Sequence, residues 1–261
     1  MSNYIFDTHS HYDDKAFDSD RDEILNGLFE KGIGKVVDVG ADMVSSKMAL
    51  ELAGQYEFVY AALGVHPSEV EGLTESDMAW IVNHASHEKV VAIGEIGLDY
   101  HWPEPEPELQ VQWFHRQIEL AKEVKLPIIV HSRDAAEPTM QIIQETKAYE
   151  CGGVIHCYSY SPEMAEEYVK MGFFIGMGGV LTFKNAKKLV RCAERIPLSS
   201  IVLETDCPYM APEPNRGKRN DSSQLIYVAQ KLAEIKGITA EEVKQVTMEN
   251  AHRLYRLTQN K

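Results

Sequence analysis

The 261-residue chain contains no run of about 18 or more apolar residues, so no membrane-spanning helix is expected. Cysteine is scarce. Cys151, Cys157, Cys192 and Cys207 are the four present, and none forms a CxxC pair. Their spacing fits neither a zinc knuckle nor a disulfide framework, and reduced, mostly buried thiols are expected. Positive charge is also in short supply. Lys and Arg number 26 against 40 Asp and Glu, for a net charge of -14. A broad, non-specific nucleic-acid-binding face would be basic and is therefore excluded. An enzyme that grips one strand end through bound cations and a few local basic residues is not excluded, because divalent ions can outweigh local protein charge. The first strand-like run begins almost at the N-terminus, leaving no room for a signal peptide, so a cytoplasmic location is expected. No interdomain linker or internal repeat is present, and one domain over residues 1–261 is expected.

Hydrophobic residues make up 44% of the chain and charged residues 25%, the balance of a globular protein with a substantial core. Apolar runs near 4–7, 35–39, 58–63, 90–94, 127–131, 152–156, 173–177 and 200–204 read as strands. Stretches with helical spacing separate them, such as Phe114, Ile118 and Ala121, or Leu189, Val190 and Ala193. Two more helical segments follow, near 222–236 and 239–257. Thr239 and Glu242 form a capping box for the last, and Gly237 ends the one before it. Eight strand–helix units and an extra helix predict an α/β fold, a TIM-like (β/α)8 barrel with an additional C-terminal helix.

The ends of these strands carry the chemistry. The first reads Ile5-Phe6-Asp7-Thr8-His9-Ser10-His11. His9 and His11 stand two apart, so both imidazoles point to one face of a strand. Val91-Ala92-Ile93-Gly94 ends in Glu95, a carboxylate able to bridge two cations. Ile128-Ile129-Val130 ends in His131, and Val154-Ile155 ends in His156. The eighth run, Ile201-Val202-Leu203, ends in Glu204-Thr205-Asp206. Four histidines and Glu95 at strand ends make Asp206 a further ligand and a proton acceptor. Glu204 either shares that role or orients a neighbouring ligand. His66, in Gly64-Val65-His66-Pro67, is expected to line the substrate pocket.

Two proline-rich loops follow ligand-bearing strands, at 100–107 and 210–220. The second is locally basic, and Arg216 and Arg219 read either as a clamp for an anionic substrate or as solvated surface. Arg133 is within reach of the same anion unless it pairs with Asp134. Trp102, Tyr158, Tyr160 and Tyr209 are candidates for stacking on a base.

The segments IFDTHSHYD (5–13), GEIGLDY (94–100), PIIVHSRDAAE (127–137), GVIHCYS (153–159) and IVLETDCP (201–208) together resemble the TatD family of metal-dependent hydrolases, within the amidohydrolase-like barrels. The resemblance implies two divalent metal cations (Mg, Mn, Zn or Ni) at the C-terminal mouth of the barrel. His9, His11, Glu95 and Asp206 would hold one, and Glu95, His131 and His156 the other. It also implies a 3′→5′ deoxyribonuclease that cleaves phosphodiester bonds with metal-activated water, with a nucleic-acid strand end as substrate and no obligate protein partner. D-aminoacyl-tRNA deacylation and small-molecule amide hydrolysis at the same centre are the alternatives. A metal-storing barrel without turnover is disfavoured by Asp206.

Overall fold

The computed structural model describes residues 4–257. The chain forms two compact units. One is continuous and covers Asp38–His156; the other joins the chain up to Val37 to everything from Cys157 onward. The eight expected strands are all present, and their order in the sheet is sequential, β1 to β8.

In the continuous unit, β3 (Val59–Leu63), β4 (Val90–Asp99), β5 (Ile128–Arg133) and β6 (Gly153–Ile155) run parallel. Helices α2 (Met43–Gln55), α3 (Glu75–His84), α4 (Pro107–Val124) and α5 (Ala136–Glu145) separate the strands. Strands covered on both faces need near-continuous apolar sequence. Ile93, Ile96, Leu98, Ile128, Ile129 and Val130 are accordingly all buried. β2 (Ile33–Val39) crosses the boundary at Val37.

β4 differs from its sequence expectation. The apolar run stops at Gly94, but the strand continues to Asp99. Its register with β5 jumps: Ile93 pairs with Ile128 and Ile96 with Val130. One extra residue on β4 therefore sits opposite β5, a bulge that re-aims side chains at the point where Glu95 lies. Glycine permits the continuation. A Cβ on Gly94 would stand 2.6 Å from the Ile129 Cβ, and one on Gly97 would stand 1.9 Å from the His131 carbonyl oxygen. Gly97 also has φ +149, a conformation that favours glycine.

Helix α4 presents Trp113, Phe114, Ile118, Leu120 and Ala121 to the interior. Full burial of a side chain such as Phe114 contributes about 1.5–3 kcal/mol. Two glutamines share this buried face, seven residues apart. Gln117 Oε1 accepts from Val65 N at 2.8 Å, and its Nε2 donates to Val65 O at 3.0 Å. Gln110 holds Asp99 in the same way, at 2.8 and 3.0 Å. Each glutamine satisfies both backbone groups of one residue, Asp99 at the end of β4 or Val65 just past β3, where the ladder no longer does so.

The discontinuous unit contains β1 (Ile5–Ser10), β7 (Phe174–Met177) and β8 (Ile201–Leu203). Its helices are α1 (Arg21–Gly27), α6 (Pro162–Lys170), α7 (Lys187–Arg195), α8 (Leu225–Lys236) and α9 (Ala240–Leu254). The Thr239–Glu242 capping box opens α9, and Gly237 caps α8 at φ +66. Helix α9 packs on β1 and β8. Asn250 Nδ2 donates to Leu198 O and Ile201 O, and just past the helix Tyr255 donates to Thr8 O at 2.7 Å.

Candidate metal centre

Each unit gathers its own set of ligand-type side chains. In the discontinuous unit, His9 lies near the end of β1, His11 follows the strand directly, and the turn after β8 carries Asp206. His9 Nε2 and His11 Nε2 lie 3.1 Å apart. Asp206 Oδ1 is 3.7 Å from the first and 3.5 Å from the second. Ligand atoms about 2.1 Å from a common cation stand about 3.0–3.4 Å from one another; the two imidazoles meet that spacing and the carboxylate stands slightly outside it, so a small approach of Asp206 would close the triangle on a single ion. The turn is held in an uncommon conformation, with Asp206 at φ +59. Its amide donates to His9 O at 2.9 Å.

Below this triangle lies Asp7, which the sequence argument passed over. Its Oδ1 accepts from His9 N and Thr205 N, and its Oδ2 accepts from the Thr205 and Ser222 hydroxyls. Burial pushes its pKa up to about 7, against the pull of those hydrogen bonds. The carboxylate ties β1 to the turn after β8. The signal was in the sequence, since Asp7 shares its strand face with His9 and His11.

Glu204 is buried, and its Oε1 accepts the Cys157 amide. A Cβ on Gly176 would stand 2.2 Å from its Oε2. So confined, Glu204 fits the orienting alternative better than that of a proton acceptor, whereas Asp206 is partly open to solvent.

In the continuous unit, the centre of the cluster is Glu95, 4% exposed. One oxygen, Oε1, lies 2.7 Å from His131 Nδ1 and 3.1 Å from His156 Nε2. His66 Nε2 is 3.9 Å from the same oxygen, and its ring stacks edge-on with His131 at 4.2 Å. Burial, reinforced by the neighbouring His131, pushes His66 down to about 3, so it is neutral at physiological pH. His66 Nδ1 accepts the Ser68 amide at 3.1 Å, which leaves the ring proton on Nε2. Burial works to lower the pKa of His131, but hydrogen bonds to Asp99 and Glu95 outweigh it and raise it. Asp99 Oδ2 stands 3.1 Å from His131 Nε2. Asp99 is a second residue that sequence reasoning missed, because the strand was expected to end at 94. Buried carboxylate and imidazole donors at these spacings suit a divalent cation of mixed nitrogen and oxygen preference.

The residues expected to hold an anionic substrate are placed differently. Arg219 is spent within its own unit: it donates to Asp20 at 2.9 Å and to Ala16 O, and lies over the Phe17 ring. Arg216 lies over Phe183 at 4.2 Å. Arg133 is exposed over the Trp102 ring at 5.9 Å, while Asp134 pairs with His101 instead. Among the aromatics, Trp102 and Tyr209 are each 56% exposed, but Tyr158 is a core residue whose hydroxyl donates to Ser161 O. The four cysteines are free thiols, three of them buried. No helix among the described residues is long and apolar enough to cross a membrane.

Comparison with known proteins agrees with this layout. The family model described as TatD related DNase matches residues 6–256. An uncharacterized metal-dependent hydrolase of Bacillus subtilis, YabD, is 46% identical over 253 residues, covering 97% of this chain and 99% of the relative. The mouse protein named "putative deoxyribonuclease TATDN3" is 32% identical over 264 residues, covering 96% and 88%. The crystal structure of YjjV, a TatD homolog from Escherichia coli, superposes with a TM-score of 0.92 at 32% identity, covering 99% of this chain and 100% of that one. The chain belongs to the TatD family of metal-dependent hydrolases and has its TIM-like (β/α)8 barrel fold.

Proposed function

We propose that this protein is a divalent-metal-dependent 3′→5′ deoxyribonuclease. The observation that carries the metal part is the crowding of imidazole nitrogens on a single buried oxygen, Glu95 Oε1, with His131 at 2.7 Å and His156 at 3.1 Å. The nuclease part draws support from the description of the matching family and from the name of the mouse relative.

Following the family resemblance of the motifs, we assign His9, His11, Glu95 and Asp206 to one cation and Glu95, His131 and His156 to a second. Bound divalent cations supply Lewis acidity toward a phosphoryl oxygen and a nucleophile from water near neutral pH. Asp206, at the partly open edge of its cluster, takes the proton from the attacking water at its carboxylate. His66 donates a hydrogen bond from Nε2–H to an oxygen of the phosphate, a role fixed by the Ser68 amide on its other nitrogen. Arg133 and Trp102 offer a cation and a ring face to the strand near its end.

A single-stranded DNA labelled at its 5′ end should be shortened progressively in magnesium or manganese. An inert DNA, with D-tyrosyl-tRNA hydrolysed under the same loading, would replace this assignment with ester hydrolysis at the same centre.

A further inference from the structure

Asp99 belongs to neither ligand set, yet it is fixed on every side. Its backbone is held at both ends by Gln110. Its Oδ1 accepts the His101 amide at 3.0 Å, and its Oδ2 faces His131 Nε2 at 3.1 Å. The register of β4 on β5 sets Gly97 beside His131 and Asp99 beside Arg133. The missing side chain at Gly97 brings the two strands close enough for Asp99 to reach the ring. A carboxylate locked in this way is a ready-made acceptor with little freedom to lose.

A neutral imidazole has one ring proton, and its position decides which nitrogen can donate a lone pair. Carboxylates flank both nitrogens of His131, Glu95 at Nδ1 and Asp99 at Nε2; a cation beside Glu95 takes the Nδ1 lone pair and leaves the proton on Nε2, where Asp99 accepts it. Nδ1, 2.7 Å from Glu95 Oε1, is then the nitrogen that can bind a cation. We propose that Asp99 is a positioning residue that holds His131 in the Nε2–H tautomer and fixes its ring plane, so that Nδ1 faces a divalent cation beside Glu95. The inference rests on reading the Glu95 cluster as a cation site.

His66, Asp99 and His131 also bring ligand-type atoms within 4.8 Å of one another, so a cation held by these three is the rival idea. Two facts weigh against it. The Ser68 amide keeps the His66 proton on Nε2, the atom that would have to ligate. His131 cannot use both nitrogens while remaining a neutral ligand.

The test uses the full chain, stripped of metal and titrated with cobalt(II) alone, and compares wild type with Asp99→Asn and Asp99→Ser. Asparagine keeps the shape and can still accept the His101 amide, but it no longer offers a charged acceptor to Nε2–H. Loss of such an outer carboxylate typically weakens metal binding about 10- to 100-fold. We expect a loss of that size in both variants, with the same number of ions bound at saturation. The imidazole nitrogen NMR signals of His131 should show Nε2–H in zinc-loaded wild type, and in the metal-free protein Asp99→Asn should shift the ring toward Nδ1–H directed at Glu95. Unchanged cobalt affinity in both variants, or an Nδ1–H signal in the loaded wild type, would overturn the inference. Loss of one bound equivalent, rather than of affinity, would overturn it in favour of the three-residue site. Failure of the wild type to take up cobalt would overturn the cation reading of the Glu95 cluster, and this inference with it.

Discussion

Replacing Gln110 with leucine is the sharpest probe of how the fold supports the site. Gln110 is 1% exposed and makes three hydrogen bonds. It accepts from Asp99 N at 2.8 Å and donates to Asp99 O at 3.0 Å and Pro105 O at 2.8 Å. Leucine fills a similar volume, so little cavity penalty arises. The damage is polar: one N–H and two C=O groups lose their partner in an environment that excludes water. An unpaired buried group costs about 1–3 kcal/mol. Carbonyls tolerate a lost partner better than an N–H, so the low end applies, and the loss is about 3 kcal/mol in total. For a domain of this size each kcal/mol moves the melting midpoint by about 2–4 °C, so a drop of roughly 6–12 °C is expected. Thermal unfolding followed by far-ultraviolet circular dichroism measures it. A midpoint within about 2 °C of wild type would refute the view that these hydrogen bonds carry the end of β4.

His131→Ala and Asp206→Ala should each abolish turnover while leaving the circular dichroism spectrum intact, and near-normal activity in either would remove that residue from its role. Chelation of divalent cations should lower the melting midpoint, and a cation at about 100 times its dissociation constant should restore about 2.7 kcal/mol; a midpoint indifferent to metal would contradict the ligand sets. Thr239→Ala breaks the α9 capping box and should cost about 1 kcal/mol in urea unfolding, with no change in metal content. Arg219→Ala should leave the KM for DNA unchanged, because its guanidinium is engaged by Asp20; a several-fold rise would restore it as a substrate contact.

All eight strands were legible because strands covered on both faces write themselves as apolar runs. The histidines and acids at their ends were legible because a polar group ending such a run is conspicuous. The limits of β4 were not. Gly94 and Gly97 interrupt the apolar pattern, and what they permit is a close approach to residues more than thirty positions away. Asp99 was lost with that boundary. Gln110 and Gln117 carry no sign of burial in sequence, since glutamine in a helix ordinarily faces water; only their distant backbone partners explain them. Arg219 illustrates the same difficulty in reverse. Its loop is basic, but its acidic partner Asp20 lies 199 residues earlier.

The two ligand clusters differ in when a growing chain can build them. Glu95, His131 and His156 fall within one uninterrupted stretch. His9 and Asp206 come from opposite ends of a discontinuous one, and the hydrogen bond that ties their strands, Asp7 to Thr205, spans 198 residues. At synthesis rates of about 5–20 residues per second, β1 waits about 10–40 s for that partner. Through that interval the imidazoles of His9 and His11 have no carboxylate from the turn after β8 beside them. A ribosome stalled before Asp206 therefore holds a chain in which one cluster has all its donors and the other still lacks Asp206.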